Sequence, residues 1–129
     1  MIVLDTHAWL WWLSDPSRLS DPAREKIAQT PEIAISTISI WELATLVRRG
    51  RLELDRPVGD WVARALSDAR SSAVAPSPEI ALSAAGLDER SFPGDPADRL
   101  IFASAQALKA PLITRDAAMR AFDSSATLW

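Results

Sequence analysis

Cysteine is absent from the 129 residues. Its absence excludes disulfides and thiolate metal sites. It is compatible with a reducing compartment, and a cytoplasmic location is expected. Histidine occurs once, as His7, and no nucleophile motif accompanies it. A Ser-His-Asp hydrolase is therefore not indicated. The four glycines stand apart at 50, 59, 86 and 94. They form no glycine-rich phosphate loop of the kind that would favour a phosphatase or related α/β enzyme. No apolar run is long enough to span a membrane, and Met1-Ile2-Val3-Leu4-Asp5 does not open a signal peptide. Repeats, low-complexity tracts and linkers are also missing, so one domain over residues 1–129 is expected.

What is present suits a globular chain: 48% hydrophobic and 24% charged residues. The net charge of −3 argues against a passive nucleic-acid binder, which is usually basic. It does not argue against an enzyme that gathers acids around a cation. Basic residues cluster locally, with Arg48, Arg49, Arg51 and Arg56 inside nine residues. They could hold RNA phosphates or an acidic protein segment, or simply be a solvated helix end. Three of the six tryptophans, Trp9, Trp11 and Trp12, crowd one segment. Trp9 and Trp12 share a helix face and Trp11 points elsewhere, so one face is expected to meet the sheet and the other a partner.

Short apolar runs alternate with longer helical patterns, the signature of a parallel sheet covered by helices. Ile2-Val3-Leu4, Ile33-Ala34-Ile35, Leu112-Ile113-Thr114 and, more weakly, Ala73-Val74-Ala75 and Thr127-Leu128-Trp129 read as strands. A helix follows the first strand until Ser14-Asp15-Pro16. Others start at Ser20-Asp21-Pro22, Ser39-Ile40-Trp41-Glu42, Pro57, Ser77-Pro78 and Asp95-Pro96-Ala97-Asp98. Residues 87–94 read as a loop, Pro111 ends the helix before it, and a short helix follows Asp116.

Four acids then fall on one predicted edge. Asp5 and Asp116 follow apolar strands; Glu42 and Asp98 sit in the first turns of helices. In open α/β sheets the strand carboxyl ends and the following helix N-termini share the edge where ligands bind. Carboxylates gathered there stay ionised together only around a cation, and oxygen-only donors suit Mg²⁺ or Mn²⁺. Such a cation polarises phosphoryl oxygens and activates water for in-line attack, which points to phosphodiester hydrolysis. Ordinary structural roles compete with this reading. Asp5, Asp95 and Asp116 can be N-caps, Asp98 a first-turn acid favoured by the helix dipole, and Ser39-x-x-Glu42 a capping box.

Four segments, in order and at these spacings, resemble the PIN-domain family, and more narrowly the VapC toxins of bacterial type II toxin–antitoxin pairs. They are Met1-Ile2-Val3-Leu4-Asp5-Thr6-His7-Ala8-Trp9-Leu10-Trp11; Ser36-Thr37-Ile38-Ser39-Ile40-Trp41-Glu42-Leu43; Asp95-Pro96-Ala97-Asp98-Arg99-Leu100-Ile101; and Leu112-Ile113-Thr114-Arg115-Asp116. The resemblance implies a three-layer α/β/α fold with about five mostly parallel strands. It implies a metal-dependent endoribonuclease cutting structured RNA such as tRNA or rRNA. Asp5, Asp98 and Asp116 would bind Mg²⁺ or Mn²⁺, and Glu42 would orient a metal-bound water. Thr6, Ser39 and Thr114 would support the acids, with Asp95 as a helix cap or supporting group. It also implies a homodimer, a VapB-type antitoxin that blocks the site, and possible larger toxin–antitoxin assemblies. Arg99 and Arg115 adjoin proposed ligands and are candidate RNA phosphate contacts, unless each is held in a structural ion pair. His7 fits one subgroup without an assigned role. The short chain suits a stand-alone toxin better than a ribosome-processing or decay nuclease. Two rivals are a PIN-type nuclease acting on DNA and a catalytically inactive PIN binding module.

Overall fold

The computed structural model describes residues 1–92 and 94–129; position 93, within the expected 87–94 loop, lies outside the described residues. Five strands, β1 (Ile2–Leu4), β2 (Ile33–Ser36), β3 (Ser71–Val74), β4 (Leu112–Ile113) and β5 (Thr127–Leu128), form one sheet in the order β3-β2-β1-β4-β5. Every pairing among the described residues is parallel. Parallel strands need crossovers, and helices supply them. They are α1 (Thr6–Ser14), α2 (Asp21–Gln29), α3 (Thr37–Arg48), α4 (Val58–Ala65), α5 (Pro78–Ala85), α6 (Pro96–Ala107) and α7 (Ala117–Phe122), with a 3₁₀ turn at Pro16–Arg18.

Side chains alternate across the strands, so the sheet feeds two cores. Ile2, Leu4, Ile33, Ile35 and Ile113 face one core, which takes Trp9 and Trp11 from α1, Ile27 from α2, Leu43 from α3 and Trp61 from α4. Val3, Ala34 and Leu112 face the other, with Ile101, Phe102 and Ala105 from α6 and Met119 from α7. Trp9 and Trp61 meet edge to face at 5.1 Å in the first core. Phe92, Phe102 and Phe122 pack against one another in the second. The result is the expected three-layer α/β/α arrangement.

Three details differ from the expectation. The β3 strand spans Ser71–Val74, pairing along β2 from Ile33 to Ser36, and not residues 73–75. The third helix starts at Thr37, because the Ser36 hydroxyl accepts the Ile38 N–H at 3.2 Å and caps it. Ser39 and Glu42 therefore form no capping box, and Glu42 lies in the second turn. The α6 helix stops at Ala107, not at Pro111, with Lys109 turning the chain at φ 52°.

Candidate active site

The chain reverses its direction of travel across the sheet at β1. It moves outward to β2 and β3, then returns to β4 and β5 on the other side. A crevice opens at such a switch point, beyond the strand carboxyl ends. A cleft of about 500 Å³ lies there, lined by Asp5, His7, Trp11, Arg18, Glu42, Asp95, Asp98, Arg115 and Asp116. All four acids singled out in the sequence reach it, and Asp95 makes a fifth.

Asp5 follows β1 and is 7% exposed. One of its carboxylate oxygens accepts the Thr6 N–H at 2.8 Å, and the other accepts the Thr114 hydroxyl, also at 2.8 Å. The Thr114 oxygen in turn accepts the Asp116 N–H at 3.0 Å. This short chain of bonds ties the end of β1 to the residue after β4. Asp116 caps α7 by accepting the Met119 N–H at 2.8 Å. Asp95 caps α6, accepting from Ala97 N at 2.8 Å and Asp98 N at 3.3 Å. Asp5, Asp95 and Asp116 are thus caps and cleft-lining acids at once, since a helix N-terminus that needs a carboxylate cap opens on the same edge as the cleft.

Glu42 and Asp98 are half-buried and accept no hydrogen bond from the described residues. Glu42, Asp95 and Asp98 each offer an oxygen within 4.8 Å of the others. The tightest ligand group thus differs from the expected set of Asp5, Asp98 and Asp116. The electrostatics follow from the crowding. Burial, then the charges of Asp5, Asp95, Glu42 and Asp116, push Asp98 up from 3.8 to about 7. Burial also raises Asp5, opposed by its bonds from Thr114 and Thr6. Glu42 is raised, chiefly by burial.

The supporting polar residues divide. Thr114 holds Asp5 directly. The Thr6 hydroxyl is buried and short of full hydrogen-bond geometry, yet close enough to Glu42 to offset part of its rise. Ser39 is fully buried and its hydroxyl bonds no acid, contrary to the expectation for it.

The arginines also divide. Arg99 does not reach the cleft. Its guanidinium donates to the carbonyls of Ala84 at 3.1 Å, Ala85 at 3.3 Å and Leu87 at 2.5 Å, so it closes the end of α5. That corrects its reading as a phosphate contact, and its partners are carbonyls, not an acid. Arg115 lines the cleft over Trp11. Arg18, which the sequence reading passed over, lines it as well. The signal was the proline turn after α1, which folds Arg18 back over Trp11. Trp11 is 5% exposed and covered, not left for a partner. None of Arg48, Arg49, Arg51 and Arg56 lines the cleft, and Arg56 pairs with Asp55 at 3.0 Å.

A parallel sheet with a cleft of carboxylates at its switch point defines an α/β protein with an acidic site whose oxygen donors suit a hard cation. The PIN-domain family model matches residues 2–124. A relative named Ribonuclease VapC22, from Mycobacterium tuberculosis, is 40% identical over 119 residues, covering 92% of this chain and 89% of the relative. The chain belongs to the PIN-domain family, in its VapC-type branch. Solved structures share its fold, two among them being toxin–antitoxin complexes. One is a VapBC2 complex from Rickettsia felis bound to a promoter DNA fragment, with TM-score 0.71, 20% identity and coverage of 99% and 98%. The other is a toxin–antitoxin complex from Klebsiella pneumoniae, with TM-score 0.69, 21% identity and coverage of 100% and 97%. No helix among the described residues is long and apolar enough to cross a membrane.

Proposed function

We propose that this chain is the ribonuclease toxin of a type II toxin–antitoxin pair and hydrolyses phosphodiester bonds of structured RNA, such as a tRNA or rRNA loop, with a divalent cation. The observation that carries the reading is the five-carboxylate cleft at the sheet's switch point. The 40% identity to a relative named as a ribonuclease supports the substrate class.

The donor set fits a hard cation. All its donors are carboxylate oxygens, which suits Mg²⁺ or Mn²⁺ and not a thiolate-seeking metal. Asp98 and Asp5, with Asp116, Glu42 and Asp95, would hold it. When bound, the cation supplies Lewis acidity toward a phosphoryl oxygen and lowers the pKa of water beside it. The chain's own residues do the rest. Thr114 fixes the Asp5 carboxylate at both the β1 and β4 ends, so this acid enters the reaction already oriented. Glu42 takes no hydrogen bond from the described residues and can orient the attacking water or accept its proton. The raised pKa of Asp98 means that cation binding competes with protons near neutrality.

A VapB-type antitoxin is the proposed partner, supported by structural neighbours solved as toxin–antitoxin complexes. A groove of about 720 Å³ adjoins the cleft, with Leu10, Leu52, Leu54 and Trp61 among its lining residues. A peptide segment laid there would reach the acids. A homodimer is also proposed, checked by light scattering.

The test is cleavage of total cellular RNA by the purified chain with Mg²⁺ or Mn²⁺, beside EDTA and Asp98→Asn controls. Discrete cuts that vanish in both controls are expected. Cleavage of DNA but not RNA would replace the substrate class. No cleavage, together with no Mn²⁺ binding, would leave an inactive binding module.

A further inference from the structure

The cleft is lined by two unlike sets of side chains. One is five carboxylates. The other is Trp11 with Arg18 at 4.5 Å from its ring centre, Arg115 at 5.8 Å and the His7 ring at 5.5 Å. Trp129 backs the indole at 5.8 Å. Arg18 and Arg115 come from distant places in the chain, the 3₁₀ turn after α1 and the residue before Asp116. Among the described residues they are the only arginines or lysines lining the cleft. Among the described residues neither makes an ion pair or a side-chain hydrogen bond. The ion pairs among the described residues join Arg24 to Asp21, Arg56 to Asp55 and Arg70 to Asp68.

Two guanidiniums without an ion pair thus share a cleft lining with five carboxylates. Both lie over the Trp11 ring, a face that this weakly hydrated group favours. Their N–H edges are thereby kept for something else. Carboxylates with a cation would take one phosphodiester. The next phosphate of the same strand then needs a cationic site near it, because the carboxylates would repel it. A repeating polyanion satisfies both sets of side chains. An acidic peptide satisfies only the arginines.

We infer that Arg18 and Arg115, braced on Trp11, form a clamp for an RNA backbone phosphate flanking the one that is cut. The inference rests on the nuclease reading and extends it to how the strand is held. Arg18 and Arg115 are positioning residues in this scheme, acting through phosphates that do not react.

The test measures binding without cleavage. A fluorescent single-stranded RNA of mixed sequence is titrated with the full chain carrying Asp98→Asn, across a range of KCl. Arg18→Gln and Arg115→Gln should each weaken binding about tenfold, the loss of one charge-assisted contact. Each should also reduce the slope of log K against log[salt] by about 0.7, one phosphate's share on a single strand. Arg18→Lys should keep the slope but bind more weakly, because an ammonium does not stack flat. Arg120→Gln, on α7 away from the cleft, should change neither. Replacing single phosphates by neutral methylphosphonate should weaken binding at one or two positions, and that penalty should vanish in the arginine variants.

Unchanged slopes and an unchanged methylphosphonate pattern overturn the clamp, even where the wild type cuts RNA. Variants that lose affinity for a hexaglutamate peptide while binding RNA normally also overturn it, in favour of a protein partner. If the wild type never cuts RNA but the slopes fall as expected, the clamp stands as a nucleic-acid contact and the nuclease reading fails.

Discussion

Asp5 and Asp98 share one cleft but belong to regions built in different ways. Asp5 sits on the floor, buried between the ends of β1 and β4, with both oxygens bonded by Thr6 and Thr114. Asp98 sits on the rim with Glu42 and Asp95, half-buried, facing like charges without a hydrogen-bond donor among the described residues. Both carboxyls are pushed upward, yet only Asp5 of the two has groups that hold its ionised form in place. The floor is preorganised by the fold. The rim is strained by its own charge, which a bound cation would relieve. Active sites commonly combine the two, spending stability where chemistry needs it.

The largest expected effect separates the two regions by substitution. Asp5→Asn and Asp98→Asn should each reduce RNA cleavage by at least about 100-fold, as expected for loss of a metal-holding group. Their stabilities should part. Asp98→Asn removes a repelling charge and should raise the melting temperature of the metal-free protein. Asp5→Asn disturbs the Thr114 bond and should not. Equal melting shifts in calorimetry would erase the distinction between floor and rim.

The next effect probes the brace. Thr114→Val keeps the shape and removes the hydroxyl that donates to Asp5 and accepts from Asp116 N–H. A fall of about 10–100-fold in activity is expected, as for other supporting partners of metal ligands. A stability loss of about 1–3 kcal/mol in urea unfolding should accompany it, since buried groups lose their partners.

The pH dependence follows from the rim. Asp98 has a native pKa of about 7 against an ordinary 3.8. Between these values the native chain keeps a proton that the unfolded chain has released. Metal-free stability should therefore fall as pH rises through this window, and level off above it. Asp5 and Glu42 act in the same direction. Saturating Mn²⁺ should flatten or reverse the slope, because the ion binds the deprotonated form. Melting curves that rise with pH in EDTA would contradict the shift.

The smallest effect lies outside both regions. Arg99→Gln should cost about 1 kcal/mol, because the carbonyls ending α5 lose a cationic donor. It should leave the salt dependence of RNA binding unchanged. A change in that dependence would return Arg99 to the substrate side.

Much of this was legible in the sequence. Short β-branched runs such as Ile2-Val3-Leu4 and Ile33-Ala34-Ile35 carry enough burial signal to be strands. Serine or aspartate one or two residues before a proline marks helix starts at Ser20, Ser77 and Asp95 through local backbone chemistry. With parallel strands assumed, the acids at strand ends and helix starts had to share an edge, so local order alone brought Asp5, Glu42, Asp98 and Asp116 together. The start of α3 was misread because Ser36 and Ser39 both offer a capping hydroxyl, and only the chain's exit from β2 decides between them.

Asp95 could be read as a cap but not as a member of the tightest carboxylate group, because that depends on a distance between two helices. Arg99 and Arg115 each adjoin a proposed ligand and look alike in one dimension. The packing of α5 on α6 gives one of them three carbonyls, and the turn after β4 gives the other an indole. Arg18 met Trp11 only when the 3₁₀ turn folded back on α1. Sequence determines which groups stand at the ends of elements, since capping and strand burial are local. Tertiary structure decides which groups face one another across the cleft, since partners such as Asp5 and Thr114 lie 109 residues apart and nothing local encodes their distance.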